Sequence, residues 1–351
     1  MQNSTVSPLV HHDGLGWKVR RGNLKDQQAS SYDLASAAIS ENRWNDASEL
    51  ARYTVYEATE PQELYSTWIP RIRNFTLRHG IASDVVESEE EKLIETLRWE
   101  DGSPYDPEFG WQRVTGSIDA CVEACNRKDT SAAAKALEES RLHWLASHDR
   151  LCDWVQGMIA IAANQIGQQC VGDLWQELMS PMYKSYDKYD VDVTPWAESA
   201  EKLLLITAEA LRGHLSGPGR AGSIEYVEEL DRKGFRFTPC GSGGRNFTDK
   251  AERTYPVTDS EYTWAWNTKG VCLYCAHCCA LSELNPVEKF GYPARVVEPP
   301  YRNETGERTH CTWWVYNDPT LIPDEVYTRT GNTKPEAIGG KATKQRKKAA
   351  T

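Results

Sequence analysis

The residues best suited to chemistry form a dense group of cysteines and one histidine at positions 270–279, in the segment Gly-Val-Cys-Leu-Tyr-Cys-Ala-His-Cys-Cys. In a Cys-x-x-Cys loop, the two intervening residues turn the chain so that two sulfur atoms can approach one ion. Further cysteines lie upstream and downstream, near the ends of expected strands. Because a metal site takes about four donors from separated segments, the sequence predicts a metal centre. The candidate ligands are Cys240, Cys272, Cys275, His277, Cys278, Cys279 and Cys311.

Two kinds of metal centre fit this group of donors. Tetrahedral zinc accepts thiolates and imidazoles together, and His277 and His310 lie among the thiols, so zinc is the expected cofactor. The alternative is a [4Fe-4S] cluster, because the Cys-x2-Cys-x2-Cys spacing places ligands at three corners of a cubane. Cys240 or Cys311 would then be the fourth ligand. The ferredoxin continuation, a fourth cysteine three residues later followed by proline, is absent.

A glycine-rich loop, Cys-Gly-Ser-Gly-Gly-Arg, follows the expected strand end at Pro239. Glycines expose backbone N–H groups, and an adjacent arginine adds positive charge, so such a loop can hold a carboxylate or phosphate. The candidate substrate-binding residues are Gly241, Ser242, Gly243, Gly244 and Arg245. Cys240 is a candidate ligand or nucleophile, since nearby positive charge lowers the pKa of a thiol. The alternative is a tight turn that uses glycine only for its backbone freedom.

Proton-transfer groups are expected on a long helix and within the cysteine segment. His148 and Asp149 would act as general acid or base if their helix faces the metal. The alternative is ordinary polarity of a helix surface, since His143 and His148 are five residues apart and point away from each other. His277 is the remaining candidate for moving protons. The predicted catalytic residues are therefore Cys240, His148, Asp149 and His277.

Composition narrows the class of protein. The formal net charge is -11, and the concentrated basic residues lie in the tail from Lys341 to Lys348, so no nucleic-acid partner is expected. No apolar stretch is long enough for a bilayer, and the first residues lack the features of a secretory signal. We expect a cytoplasmic protein, in which clustered thiols indicate metal binding or catalysis rather than disulfides. Four other cysteines are expected to pack as small buried hydrophobes, namely Cys121, Cys125, Cys152 and Cys170.

The elements that must position these residues indicate an α+β fold, with a mainly helical N-terminal domain and a smaller, strand- and loop-rich metal-binding domain. Apolar residues recur at helical spacing in the first two thirds of the chain, whereas short alternating runs separated by Gly, Pro and Asn follow. The predicted organisation is a flexible arm (1–28), a helical domain (29–221), a cysteine-rich α+β domain (222–331) and a disordered basic tail (332–351).

Individual elements follow from the same patterns. Long helices are predicted over Thr130–Ile166 and 195–214, and Pro61 and Pro70 are expected where helices start or break. Short strands are predicted at four places, namely 235–237, 262–266, 294–297 and Cys311–Tyr316.

Three functions are consistent with these features. The first is a metal-dependent enzyme, a hydrolase or lyase that acts on a small polar or carboxylated substrate. The second is an iron–sulfur protein with redox or dehydratase activity. The third is a structural zinc domain attached to a helical domain that binds another protein. The surplus of donors over one tetrahedral site favours the enzyme, and any self-association is expected to use the helical domain.

Overall fold

The computed structural model describes residues 6–248 and 255–339, an α+β protein with a long helical region followed by small sheets. Most of the predicted basic tail lies outside the described residues. The helices are α1 (Ser31–Ser40), α2 (Trp44–Arg78), α3 (Ser83–Thr96), α4 (Pro107–Asn126), α5 (Thr130–Ile166), α6 (Cys170–Met179), α7 (Trp196–Gly213), α8 (Arg245–Thr248), α9 (Ala276–Cys279), α10 (Asn285–Phe290) and α11 (Asp324–Thr328).

Helix α5 has the bounds that the sequence predicts, and α7 is close to its predicted range. Asp129 caps the N-terminus of α5, because its carboxylate accepts a hydrogen bond from the Ala132 N–H at 3.0 Å. Gly157 lies inside α5 without interrupting it, and a Cβ there would lie 2.4 Å from a methyl carbon of Leu93. Glycine at this position therefore lets α3 pack directly against α5.

Helix α2 runs through Pro61 and Pro70, so the prediction that these prolines start or break helices is wrong. Proline removes a backbone hydrogen bond and crowds the carbonyl four residues earlier, at a cost of about 3 kcal/mol. For Pro61 that carbonyl belongs to Glu57, and α7 packs over it so closely that a Cβ on Gly213 would lie 2.1 Å from the oxygen. Packing of α2 against α5 and α7 offsets the cost of the prolines.

The C-terminal region contains a four-stranded antiparallel sheet in the order β3-β4-β8-β5 and a separate hairpin of β6 and β7. The strands are β3 (Glu225–Glu228), β4 (Arg232–Phe237), β5 (Val296–Glu298), β6 (Tyr301–Asn303), β7 (Gly306–Arg308) and β8 (Cys311–Tyr316). The strand predictions at 235–237 and Cys311–Tyr316 are confirmed, and the one at 294–297 overlaps β5.

The strand predicted at 262–266 is wrong, because these residues form a 3-10 turn, Thr263–Ala265, that ends at Trp266 with a φ of 56°. The indole N–H of Trp266 donates a hydrogen bond to the buried carboxylate of Glu283 at 2.9 Å. This tertiary contact directs the chain away from the extended conformation that alternating aromatic residues favour.

Residues 7–28 do not form the flexible arm that their polar sequence predicts. They form a hairpin of β1 (Leu9–His12) and β2 (Trp17–Arg20), followed by a 3-10 helix, Leu24–Gln28. Leu15 and Val19 pack against Leu205 of α7, and the Trp17 indole donates to Glu209 at 3.2 Å. Few apolar residues are enough here because α7 supplies most of the partner surface.

One hydrophobic core joins the helical and strand-rich regions, with residues from α2, α5, α6, α7 and the sheet. All ten cysteines are unpaired. The expectation that Cys121, Cys125, Cys152 and Cys170 are buried is confirmed. Across the part of the chain that the structure describes, no helix combines the length and apolarity needed to cross a membrane.

Candidate functional site

Five of the predicted ligands, four cysteines and His277, line one cavity of about 280 Å³ between the helical region and the sheet. The cysteines are Cys240, Cys275, Cys278 and Cys311. We call them the cavity thiols. The remaining wall is largely apolar, with contributions from Leu64, Trp68, Met179, Leu211, Trp266 and Trp313. The thiols therefore face a largely apolar space, in which electrostatic interactions are stronger than in water.

Local structure explains why these four cysteines meet. Phe237 at the end of β4 pairs with Cys311 at the start of β8, so the chain that leaves β4 brings Cys240 to the same end of the sheet. Cys275 ends a 3-10 helix, Leu273–Cys275, that continues directly into α9. Cys278 is three residues further along, and residues at this spacing share a helix face. Cys240 and Cys311 thus come from one end of the sheet, and Cys275 and Cys278 come from the helical segment.

The cavity thiols surround a space rather than a point. Within residues 6–248 and 255–339, no group of three or more histidine, cysteine, aspartate or glutamate side chains is placed to hold one metal ion. Burial raises the pKa of Cys278 and Cys311, and the proximity of Cys240 raises both further. They are therefore thiols at neutral pH unless a cation stabilises the thiolates, and a metal that binds here must displace protons.

Two predicted ligands, Cys279 and Cys272, do not line the cavity. Cys279 is buried, with its sulfur 3.8 Å from the Thr263 carbonyl oxygen. Cys272 lies 3.0 Å from Asn246 Nδ2 and 3.3 Å from Gln156 Oε1. Burial opposes ionisation of Cys272, but hydrogen bonds from Cys275 and from nearby backbone N–H groups lower its pKa. Cys279 is thus separated from the cavity thiols, whereas the Cys272 sulfur stays in hydrogen-bond contact with Cys275.

His277 lies in the cavity wall with a defined tautomer. Its Nδ1 is 2.7 Å from the Tyr274 carbonyl oxygen, which can only accept, so Nδ1 carries the proton. The unprotonated Nε2 lies 3.3 Å from the sulfur of Cys278. Burial lowers the pKa of His277 to about 4. The ring is therefore a neutral acceptor beside a cavity thiol, as a base or a metal ligand would be.

A chain of hydrogen bonds leads from the cavity into the helical region. Tyr65 OH lies 2.9 Å from Tyr274 OH, 2.8 Å from Ser242 Oγ and 3.1 Å from His214 Nδ1. His214 Nδ1 is in turn 3.1 Å from His148 Nε2. Tyr274, Ser242 and His214 all line the cavity. These groups can pass protons, and we call the series from Tyr274 to His148 the polar chain.

Beyond His148, the polar chain connects to Asp149, whose Oδ1 is 3.0 Å from His148 Nδ1. Burial opposes ionisation of this carboxyl, but Arg245 and Arg220 lie 3.2 and 2.8 Å away and hold its pKa well below the usual value. The carboxylate fixes the His148 proton on Nδ1 and leaves Nε2 as an acceptor. Asp149 lines a second, open cavity of about 800 Å³. The polar chain thus connects the thiol cavity with a separate opening.

The thiol cavity and the polar chain together give this protein a candidate reaction site with a route for protons. No known protein family, curated protein or solved structure matches this chain. The roles of its residues therefore rest on their own contacts. The sequence indicated His148 and Asp149, but it did not reveal Tyr65 and His214, which join them to the cavity from positions 149 residues apart.

The buried imidazole of His148 makes stability depend on pH. Its side chain is fully buried, and burial lowers its pKa to about 4, whereas a histidine in the unfolded chain titrates near 6.5. Between these values only the unfolded state binds the proton. The free energy of unfolding should fall as pH decreases from about 6.5 to 4, by up to about 3 kcal/mol from this residue.

Urea denaturation of wild-type and His148→Gln proteins at pH 7 and pH 4 measures this contribution. We expect the variant to lose about 3 kcal/mol less than the wild type on acidification. The comparison is between the two pH values for each protein, so any uniform destabilisation by the substitution cancels. Equal losses in both proteins would contradict the prediction.

The glycine-rich loop makes room for its neighbours, and only part of it meets the cavity. A Cβ on Gly243 would lie 2.5 Å from the sulfur of Cys275, and one on Gly241 would overlap the His214 carbonyl. Arg245 binds Asp149 and Asp153 rather than the thiol cavity, with its Nη2 2.6 Å from Asp153 Oδ1. Among the predicted substrate-binding residues, Ser242 lines the thiol cavity. The other four do not, namely Gly241, Gly243, Gly244 and Arg245.

A different arginine lines the thiol cavity. Arg295 precedes β5 and is only 7% exposed, yet it forms part of the same wall as the cavity thiols. The sequence contained a signal for Arg295, because it is the single charged residue in the otherwise apolar segment 294–297 that was predicted as a strand. A charge at a position expected to be buried indicates a functional role.

Proposed function

We propose that this protein is an enzyme whose cavity thiols bind an iron–sulfur cluster, which supports redox or dehydration chemistry on a small substrate. The observation that carries the proposal is that four cysteines from three separate segments line one apolar cavity. Four thiolates are the usual ligand set of [2Fe-2S] and [4Fe-4S] clusters. A fully saturated structural site would need no further space, whereas this cavity extends beyond the thiols to Leu64 and Met182.

The arrangement of the donors favours a cluster over a single ion, because no three described His, Cys, Asp or Glu side chains are placed to hold one ion. A cluster presents several iron atoms to its ligands, so the thiolates stand apart at its corners. A tetrahedral zinc ion instead needs all four donors about 2.0–2.3 Å from one point. The described side chains do not have that arrangement. The predicted Cys-x2-Cys-x2-Cys ligand set is replaced in this proposal by Cys275, Cys278, Cys240 and Cys311.

Zinc remains the second candidate because of one contact. The proton of His277 is held on Nδ1 by a backbone carbonyl, and Nε2 faces Cys278. Histidine ligands of zinc commonly have this orientation. A zinc enzyme would use His277 and some of the cavity thiols, would leave one position for water, and would carry out hydrolysis or elimination.

The polar chain would supply protons in either case. Tyr274, Ser242 and His214 reach the cavity, and the connection through His148 ends at Asp149 in the open cavity. Redox and elimination reactions both move protons together with electrons or leaving groups, and a positioned acid or base accelerates such steps by about 10²–10⁴-fold. The buried arrangement of these groups supports an enzyme more than a structural zinc domain.

Anaerobic reconstitution of the full chain tests the proposal. After incubation with Fe²⁺ and sulfide, followed by desalting, we expect about four irons and four sulfides per chain, with a broad visible absorption band from sulfur-to-iron charge transfer. A parallel incubation with Zn²⁺ tests the second candidate. Stoichiometric zinc with no retention of iron and sulfide would reject the cluster in favour of zinc, and retention of neither metal would reject both.

A further inference from the structure

Arg295 is held firmly in the wall of the thiol cavity. Its Nη1 donates a hydrogen bond to Thr207 Oγ1 at 3.0 Å, and the Thr207 hydroxyl in turn donates to the Leu203 carbonyl at 2.7 Å. The guanidinium carbon lies 4.8 Å from the ring centroid of Trp313, so the planar group stacks on an indole. These contacts fix the guanidinium before any ligand arrives.

The charge of Arg295 has no acidic partner among residues 6–248 and 255–339. No carboxylate in those ranges lies within the 4.0 Å of an ion pair, and its Nε has no hydrogen-bond partner there. Glu60 also lines the cavity, but it acts on Arg295 only from a greater distance than an ion pair. Burying an uncompensated guanidinium is costly, so a group with this placement is expected to meet a ligand.

We propose that the thiol cavity binds a monocarboxylate with an apolar or aromatic body, whose carboxylate pairs with Arg295. This assignment names the substrate class of the proposed function and rests on it for the chemistry, although binding itself needs no metal. The carboxylate would lie beside Trp313, and the body would extend along the apolar wall toward the cavity thiols. The reacting carbon would thus face the metal centre while the charged end stays fixed.

The chemistry of the wall favours a carboxylate over a phosphate. One guanidinium neutralises one negative charge. Lys188 also lines this cavity, but its ammonium lies 5.1 Å from the ring centroid of Tyr189, and Glu60 adds a negative charge to the same wall. Nη1 is engaged by Thr207, which leaves the edge formed by Nε and Nη2. Two neighbouring N–H groups on a guanidinium edge match the two oxygens of a carboxylate. The apolar side chains suit a hydrocarbon body.

A route into the cavity is present. A groove of about 490 Å³ between α2 and α7 shares wall residues with the thiol cavity, among them Leu64, Trp68, Met182 and Ile206. A ligand that enters through this groove passes apolar side chains and the carboxyl groups of four glutamates before it reaches the guanidinium, namely Glu57, Glu60, Glu63 and Glu209. The carboxylate must leave water to do so, and the fixed charge of Arg295 compensates for that loss.

Calorimetric titration of the full chain tests the assignment with two probes of nearly equal shape, benzoate and benzamide. Both titrations are run on metal-free and on reconstituted protein. We expect benzoate to bind in both forms and benzamide to bind at least about tenfold more weakly, because a charge-assisted hydrogen bond is replaced by a neutral one. Arg295→Gln should weaken benzoate binding by about ten- to a hundredfold and leave benzamide unchanged.

Two further variants complete the test. Arg295→Lys keeps the charge but not the planar edge, so it should recover only part of the benzoate affinity. Arg78→Gln removes an exposed arginine that pairs with Glu177 far from the cavity, and it should bind both probes like the wild type. Circular dichroism and thermal melting establish that each variant is folded.

The outcomes separate this assignment from the proposed metal centre. If the wild type binds benzoate and benzamide equally, or binds neither, the carboxylate site is wrong, whatever the metal content. If Arg295→Gln loses metal while wild-type protein shows no preference for benzoate, Arg295 only balances thiolate charge and the assignment is overturned. Benzoate binding that depends on Arg295 in a chain that retains no metal would support the carboxylate site and reject the metal centre.

Discussion

Cys278→Ala protein is expected to emerge from anaerobic reconstitution with only a trace of bound iron, whereas Cys279→Ala protein should retain the wild-type amount. The two cysteines are adjacent in the chain, but only Cys278 lines the cavity. Even the loss of partners that merely orient metal ligands costs about 10–100-fold in metal affinity. Loss of a ligand itself should therefore weaken metal binding by more than about 100-fold.

The same contrast applies to the other pair in the segment. Cys275→Ala should lose the metal like Cys278→Ala. Cys272→Ala should keep it, because Cys272 does not line the cavity and its sulfur contacts Gln156 and Asn246 in addition to Cys275. Iron and sulfide analysis with visible absorption gives the result for all four variants. Loss of metal in all four would show that the whole segment serves the site and that the cavity does not define the ligands.

Glu57→Leu is expected to lower the free energy of unfolding by about 3–5 kcal/mol. This is the usual cost of removing one partner of a buried ion pair. Glu57 Oε1 lies 2.5 Å from Arg212 Nε, and the two residues are 5% and 3% exposed. Ser31 also donates to Glu57 at 3.0 Å, and Arg212 donates to the Gln27 carbonyl at 2.8 Å. This pair ties α2 and α7 to the N-terminal segment.

Urea denaturation measures the effect as a shift of the midpoint at constant slope. The matched control is Glu95→Leu, since Glu95 pairs with Arg98 on the surface and its loss should matter little. A Glu57→Leu/Arg212→Met double variant should recover much of the lost stability, because neither member of this pair is then left buried without the other. If the double variant is less stable than Glu57→Leu, hydrogen bonds to Arg212 rather than charge pairing dominate at this position.

The parts of the fold that the sequence predicts are those set by local pattern. The bounds of α5 follow from the helical spacing of apolar residues, and β8 follows from alternation. The continuity of α2 through two prolines could not be predicted, because it depends on packing against α7. The ordered N-terminal hairpin was missed for a similar reason, since its stabilising partner Leu205 lies almost 200 residues away in the chain.

The candidate site was partly predictable. Clustered thiols indicated the segment that contributes Cys275 and Cys278 to the cavity wall. Spacing alone could not separate Cys278 from Cys279, because the two are adjacent in the chain and only Cys278 lines the cavity. Arg245 was assigned to a substrate because it follows a glycine-rich loop, whereas its carboxylate partners lie on α5. His214 and Tyr65 carry no sequence motif, and their proximity arises only when α2 and α7 pack together.

The polar chain and the groove have a kinetic consequence. Asp149 opens on a cavity whose wall, among residues 6–248 and 255–339, shares no residue with the groove or the thiol cavity. Asp149 can therefore exchange protons with bulk solvent while an organic molecule occupies the groove. In the proposed enzyme, turnover would not require the occupied chamber to reopen for each proton, and reactive intermediates would stay shielded from water throughout the cycle.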